Sequence, residues 1–245
     1  MRPLTREGTL VGVPTPFLNV DAGEHDDEPE ELYALADALN VACGGHAGDA
    51  LSMTRVIEAA LDAGTRVGAH PSYDDREGFG RRALHLPIER VARGVEVQCA
   101  ALAAIALGLG ASVEHAKLHG ALYHEADRDD RLATACVEAI VRALGPVMIL
   151  GPRGGALERA ARVADLAYAI EGFADRARRS DGTLVPRSEP GALIEDPDEA
   201  RRTARRLAPS VDTLCVHADT RGALGIARAV RDELDRMLDE DAASA

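Results

Sequence analysis

The stretch Asn40-Val-Ala-Cys-Gly-Gly-His-Ala-Gly-Asp49 decides how the chain is read. A short β-type run ends in paired glycines, offers an imidazole and a carboxylate, and passes directly into a helix. Met53, Val56, Ile57, Ala60 and Leu61 recur at spacings of three and four, so that helix has one core-facing stripe. Asp49 stands at the N-cap position, and Gly44, Gly45 and Gly48 permit turns that a Cβ would obstruct. His46 is thereby placed on a strand-to-helix loop. In α/β folds such loops, at the carboxyl ends of the strands, carry the chemistry.

The same arrangement recurs outward from this stretch. Residues 1–15 read as an irregular lead-in. Phe17–Asp21 is a first strand, followed by an acidic loop and a helix near Glu30–Leu39, and Val41–Cys43 is the second strand. Arg66–His70 is the third, with a polar loop from Pro71 to Leu86 behind it. A long helix with the stripe Ile88, Val91, Val95, Leu102, Ile105 and Leu109 leads to a strand at Ser112–His119, then to a helix over Leu132–Leu144. Val147–Leu150, Leu166–Ile170 and Thr213–Val216 complete seven strands. A last helix covers Arg221–Leu238, and 239–245 is expected to be a disordered tail. Strands alternating with helices predict a parallel sheet in one domain; periodicity alone leaves a closed barrel and an open doubly wound sheet both in play.

Composition narrows the function classes. A formal net charge of −13 argues against nucleic acid or an anionic membrane as partner. Hydrophobic residues make up 46% but aromatics only 3%, so alanine, leucine and valine must fill the interior. Cys43, Cys99, Cys136 and Cys215 lie far apart without a CxxC pair and read as reduced thiols. No apolar run approaches the roughly 18 residues of a membrane span and no signal-peptide pattern opens the chain, so a cytoplasmic location is expected.

Polar groups collect at the predicted strand ends. Asn19, Asp21 and Glu24 follow or end the first; His46 and Asp49 follow the second, and His70 the third. Lys117 and His119 end the fourth, Glu171, Asp175 and Arg176 follow the sixth, and His217 and Asp219 the seventh. Parallel strands would bring all of them to one rim. Asp49 is explained by capping alone, Cys43 by burial as a small thiol, and Gln98 by a hydrogen bond to a loop backbone as well as by substrate contact. Arg81 and Arg82 offer docking for a carboxylate or phosphate. Phosphate-loop, nucleophile-elbow and HExxH patterns are absent from the sequence. Two chemistries remain open: aspartates and histidines holding magnesium, manganese or zinc, or metal-free acid–base work with Lys117 stabilising an oxyanion.

The motifs LNVDAGE (18–24), NVACGGHAGD (40–49), GAHPSYDD (68–75), GFGRR (78–82), KLHGALYH (117–124), FADR (173–176), LVPR (184–187) and HAD (217–219) occur in order. Together they resemble the LamB/YcsF family, the A subunits of 5-oxoprolinase, over nearly the whole chain. The departures are Phe17 where that family has aspartate, Ala22 for leucine, Gly45 for an aromatic, Leu118 for proline and Ala218 for glycine. The resemblance implies a distorted seven-stranded parallel β/α barrel, similar to that of polysaccharide deacetylases. It also implies ATP-dependent opening of 5-oxoproline to L-glutamate in a complex with subunits B and C, which would supply much of the nucleotide site. On that reading Asp21, His46, His70, Lys117 and His119 are the catalytic set. Asn19, Glu24, Asn40, Arg81, Arg82, Asp175, Arg176 and Arg187 would bind substrate, and Asp21, His46, His70, His217 and Asp219 would be the ligands of any divalent metal. The alternatives are a metal-dependent deacetylase or amidohydrolase acting alone on another amide or lactam, and a non-catalytic binding subunit.

Overall fold

The computed structural model describes residues 15–244; most of the expected lead-in, 1–14, lies outside them. Strand β1 (Phe17–Ala22) is followed by helix α1 (Glu30–Leu35), then β2 (Ala38–Ala42), α2 (Ala50–Ala63), β3 (Arg66–His70) and α3 (Ile88–Gly108). Next come β4 (Val113–Lys117), α4 (Gly120–Arg128), α5 (Asp130–Leu144), β5 (Met148–Gly151), α6 (Ala156–Val163) and β6 (Tyr168–Phe173). The chain ends with α7 (Pro197–Leu207), β7 (Thr213–His217) and α8 (Ala223–Ser244). All seven strands are parallel, and β7 pairs with β1, opposing Asp21 to His217, so the sheet is a closed barrel.

Local chemistry explains the element boundaries. In α2 the Asp49 carboxylate accepts from the backbone N–H groups of Leu51 and Ser52, each at 2.9 Å, while the Ser52 hydroxyl accepts from the Asp49 N–H. Asp49 is thus an exposed cap and no part of a site. The helix stops at Gly64, whose φ of 70° is left-handed. The helix expected over Glu30–Leu39 ends at Leu35 instead, because Ala38 and Leu39 are drawn into β2 and buried. Residues 239–244, expected to be a disordered tail, continue α8.

Alternate residues of each strand face opposite ways. Leu18, Val20, Leu39, Val41, Val67, Ala69, Ala116 and Ile149 belong to the buried apolar layer between sheet and helices. Each fully buried valine or leucine contributes about 1.5–3 kcal/mol. The inward positions are polar. Asn19 donates to the Thr213 hydroxyl at 2.8 Å, Asn40 donates to Asn19 Oδ1 at 2.7 Å, and His115 Nε2 meets Asn40 Oδ1 at 3.0 Å. Gly68 gives His115 its space, since a Cβ there would overlap the ring. His115 therefore fills the barrel axis beneath the rim. By length and composition α3 could cross a membrane, contrary to the sequence expectation; in this fold Val91, Val95, Cys99, Leu102 and Ala106 are buried in the core.

Candidate active site

Loops at the carboxyl ends of the strands are built to hold their side chains still. After β1 the Glu28 carboxylate accepts from the backbone N–H groups of Gly23, Glu24 and His25 at 2.7–2.8 Å and from the Tyr33 hydroxyl at 2.5 Å. This pins the turn that presents Glu24. After β2 the chain turns tightly at Gly48 (φ 81°), where a Cβ would strike the Ala42 carbonyl, and His46 is delivered inward. After β3 the Asp75 carboxylate gathers the Gly78 N–H and the Arg82 guanidinium. That loop places Phe79 in the left-handed region (φ 53°), a conformation costly for an aromatic residue, with its carbonyl facing His119.

The expected convergence takes place. Asp21, Glu24, His46, His70, Lys117 and His119 are all buried at one end of the barrel. His46 Nε2 lies 2.9 Å and His119 Nδ1 3.1 Å from Glu24 Oε1, and His70 Nε2 lies 3.8 Å from the same oxygen. His70 Nε2 is also 3.0 Å from His119 Nδ1 and 3.3 Å from Asp21 Oδ2. Alongside this group, Lys117 Nζ contacts Asp21 Oδ1 at 2.8 Å, Glu171 Oε1 at 2.9 Å and Cys215 Sγ at 3.1 Å.

Burial sets the protonation states. It pushes the His46 imidazole, with His119 beside it, down to about 3, and lowers His119 as well. Burial alone would raise the carboxyls of Asp21 and Glu24. Against it, His70 and Lys117 hold Asp21 low, and His119 and His46 hold Glu24 low. Burial would likewise neutralise Lys117, but Asp21 and Glu171 keep it a cation. Burial raises the Cys43 thiol to about 12, which leaves it a core residue and no nucleophile.

Other sequence candidates divide by position. Asp175 is buried and orients His217, whose Nδ1 lies 3.0 Å from both carboxylate oxygens, while the Thr220 hydroxyl donates to it at 2.7 Å. Burial works against its ionisation, but His217 and these hydrogen bonds hold its carboxyl at about 2. It therefore supports the site from behind. Asp219, expected among the metal ligands, instead ion-pairs with Arg81 at 2.6 Å and Arg187 at 2.9 Å. His217 joins Asp21 and Cys215 in a second group, next to the one formed by Glu24, His46, His70 and His119. Arg82, expected at the substrate, is spent on Asp75. Arg176 donates to the Val185 and Ala192 carbonyls and so ties down the segment that carries Arg187. Asn19 and Asn40 lie one layer below the rim; Asn40 still donates to Asp21 at 2.8 Å. Gln98 resolves to its loop-bracing reading, exchanging hydrogen bonds with the Ser72 backbone.

Three positions at the site had been given no role in it. Glu171, read as following the sixth strand, is an inward residue of β6 rather than a loop residue, and Cys215 lies in the middle of β7. Ser72 receives His46 Nδ1 at 3.0 Å. Strand alternation could have found the first two; nothing local marks the third. Asp21, His70, Lys117, His119 and Glu171 line a cavity of about 900 Å³ whose other walls include Arg176, Arg187 and His217. Glu24 and His46 stand behind His70 and His119.

The LamB/YcsF family model matches residues 18–240. The chain belongs to the LamB/YcsF family. One relative, the 5-oxoprolinase A subunit of Streptomyces avermitilis, is 40% identical over 237 residues, covering 89% of this chain and 95% of that one. The crystal structure of a lactam utilization protein from Thermus thermophilus superposes with a TM-score of 0.82 at 35% identity, covering 91% of this chain and 97% of that one. A family 4 carbohydrate esterase from Streptomyces lividans, 13% identical with a TM-score of 0.51 over 91% of this chain and 89% of its own, shares the barrel fold alone.

Proposed function

We propose that this LamB/YcsF chain is the lactam-holding component of an ATP-dependent 5-oxoprolinase, working with two further subunits, B and C. It would convert 5-oxoproline, water and ATP to L-glutamate, ADP and phosphate. The observation carrying this reading is the buried carboxylate–lysine–imidazole set opening onto a cavity that Arg176 and Arg187 also line. 5-Oxoproline has the matching halves, a carboxylate and a lactam amide. The 40% identical relative is named for the same substrate, which supports the reading.

The chemistry follows from the groups present. Amide resonance makes an unstrained lactam carbonyl a poor electrophile, so phosphorylation of its oxygen is a reasonable use of ATP. The sequence has no phosphate loop, so on this reading the partner subunits would supply much of the nucleotide site. Arg187 Nη2 is buried without a hydrogen-bond partner among the described residues and lines the cavity, so it suits the substrate carboxylate. Lys117, kept cationic between Asp21 and Glu171, supplies fixed positive charge where an oxyanion develops. His70 and His119, whose Nε2 and Nδ1 lie 3.0 Å apart and which both line the cavity, would position the attacking water beside Asp21.

The experiment is to mix the purified chain with subunits B and C and measure glutamate and ADP from 5-oxoproline. Equal amounts of both products, only in the complete mixture with ATP, are expected. Glutamate released by the chain alone without ATP would replace this reading with that of an independent amidohydrolase. No turnover in any mixture would leave a binding role only.

A further inference from the structure

We propose that Glu24, His46, His70 and His119 bind one divalent transition-metal ion of the zinc, manganese or cobalt type. The inference rests on geometry and does not depend on the lactam reading.

The outer nitrogen of each imidazole has a defined partner. His70 Nδ1 lies 2.8 Å from the Lys117 carbonyl, and His119 Nε2 lies 2.9 Å from the Phe79 carbonyl. A carbonyl only accepts, so both outer nitrogens carry the proton. His46 Nδ1 meets the Ser72 hydroxyl at 3.0 Å, and that hydroxyl donates its own proton to the Tyr73 carbonyl at 2.8 Å. His46 Nδ1 must therefore donate as well. In neutral imidazoles the inner atoms, His46 Nε2, His70 Nε2 and His119 Nδ1, are then bare lone pairs.

These lone pairs crowd together around a carboxylate oxygen. His119 Nδ1 and His70 Nε2 are 3.0 Å apart, and Glu24 Oε1 is 2.9 Å from His46 and 3.1 Å from His119. Acceptors this close, with no proton between them, repel unless a cation stands among them. All four ligand atoms lie within 4.8 Å of one another. A tetrahedron with metal–ligand bonds near 2.0–2.1 Å has edges of about 3.3 Å, and four of the six separations, at 2.9–3.8 Å, bracket that size.

Two further observations call for positive charge. Glu24 Oε2 is buried without a hydrogen-bond partner among the described residues. Asp21 and Glu171 take up the ammonium of Lys117, and among the described residues no lysine or arginine pairs with the buried Glu24 carboxylate. The donor set, three imidazole nitrogens and a carboxylate oxygen, suits zinc-like ions and not calcium, which takes six to eight oxygens. The carbonyls and hydroxyl behind the imidazoles are the outer partners that hold ligating histidines in one orientation.

The test uses the full chain stripped with a chelator, titrated with Zn²⁺ and separately with Co²⁺. Calorimetry and elemental analysis should give one ion per chain, and Co²⁺ should produce the visible bands of a nitrogen-rich, low-coordinate site. Glu24→Gln and His119→Ala should each weaken binding by at least about tenfold, and Ser72→Ala, which removes only an outer partner, by about tenfold. Asp219→Asn should bind as wild type does. If a variant fails to fold, the wild-type readouts decide alone. No stoichiometric ion, Co²⁺ bands of a six-oxygen environment, or full affinity in folded Glu24→Gln and His119→Ala would each overturn the proposal.

Discussion

Lys117 Nζ stands 2.8 Å from Asp21 Oδ1 inside the barrel rim, with both side chains almost fully removed from solvent. A buried ion pair returns little net stability while intact, but removing one member strands the other. Lys117→Met should therefore cost about 3–5 kcal/mol in urea unfolding of the metal-free chain, because Asp21 and Glu171 lose their shared cation. Adding Asp21→Asn should recover part of the loss. Strict additivity in that double-mutant cycle would contradict the contact.

The barrel axis should make the protein acid-sensitive through His115, which lies outside the proposed metal group. Burial lowers its folded-state value from 6.5 to about 3. Between those two values the unfolded chain binds a proton that the folded chain refuses. Stability is then fully present above 6.5 and declines as pH falls toward 3, by at most about 1.4 kcal/mol per pH unit for this one group. Equilibrium unfolding from pH 7 to 4 should show that slope, and His115→Asn should reduce it. An unchanged slope would mean that His115 is protonated in the fold.

Gly45 is one of the positions where this chain departs from the motif it resembles, and its surroundings leave no room for a side chain. A Cβ at Gly45 would overlap the Gln98 carboxamide and the Ser72 hydroxyl, the pair that braces the loop behind His46. Gly45→Ala should destabilise by about 1–3 kcal/mol through overpacking. In a Gln98→Ala background the same substitution should cost less. Equal costs in both backgrounds would show that the carboxamide yields freely.

Arg187 separates binding from chemistry. Its Nη1 is held by Asp219 at 2.9 Å while Nη2 is unpaired at the cavity wall. In the complete three-subunit mixture Arg187→Ala should raise KM for 5-oxoproline by roughly tenfold or more, with a smaller change in kcat, since a charged hydrogen bond is worth about 1.5–3 kcal/mol. A fall in kcat at unchanged KM would move Arg187 out of the carboxylate role.

Strand direction and alternation made much of this site legible. Parallel β-runs predict that Asp21, His46, His70, Lys117, His119 and His217 share a rim, and all six are buried there. Pairing was not legible, because it depends on where loops cross in space. Asp219 follows β7 as a metal ligand would, yet arginines from two distant loops, Arg81 and Arg187, claim it. Glu24 reads as a substrate contact until Glu28 folds the turn back and sets it among three imidazoles. Glu171 needed the correct frame of β6, which begins at Tyr168 rather than Leu166. The end of α1 was misplaced because Ala36–Leu39 suits a helix locally; pairing with β1 and β3 overrides that preference.

The most direct measurement is glutamate formation from 5-oxoproline by the chain with subunits B and C and ATP, comparing wild type with folded His70→Gln and Lys117→Met variants. Both substitutions should lower kcat by about a hundredfold or more, the scale for losing a group that positions the attacking water or an oxyanion partner. Wild-type turnover in either variant would contradict the central claim that the buried rim of acids, imidazoles and lysine performs the lactam chemistry.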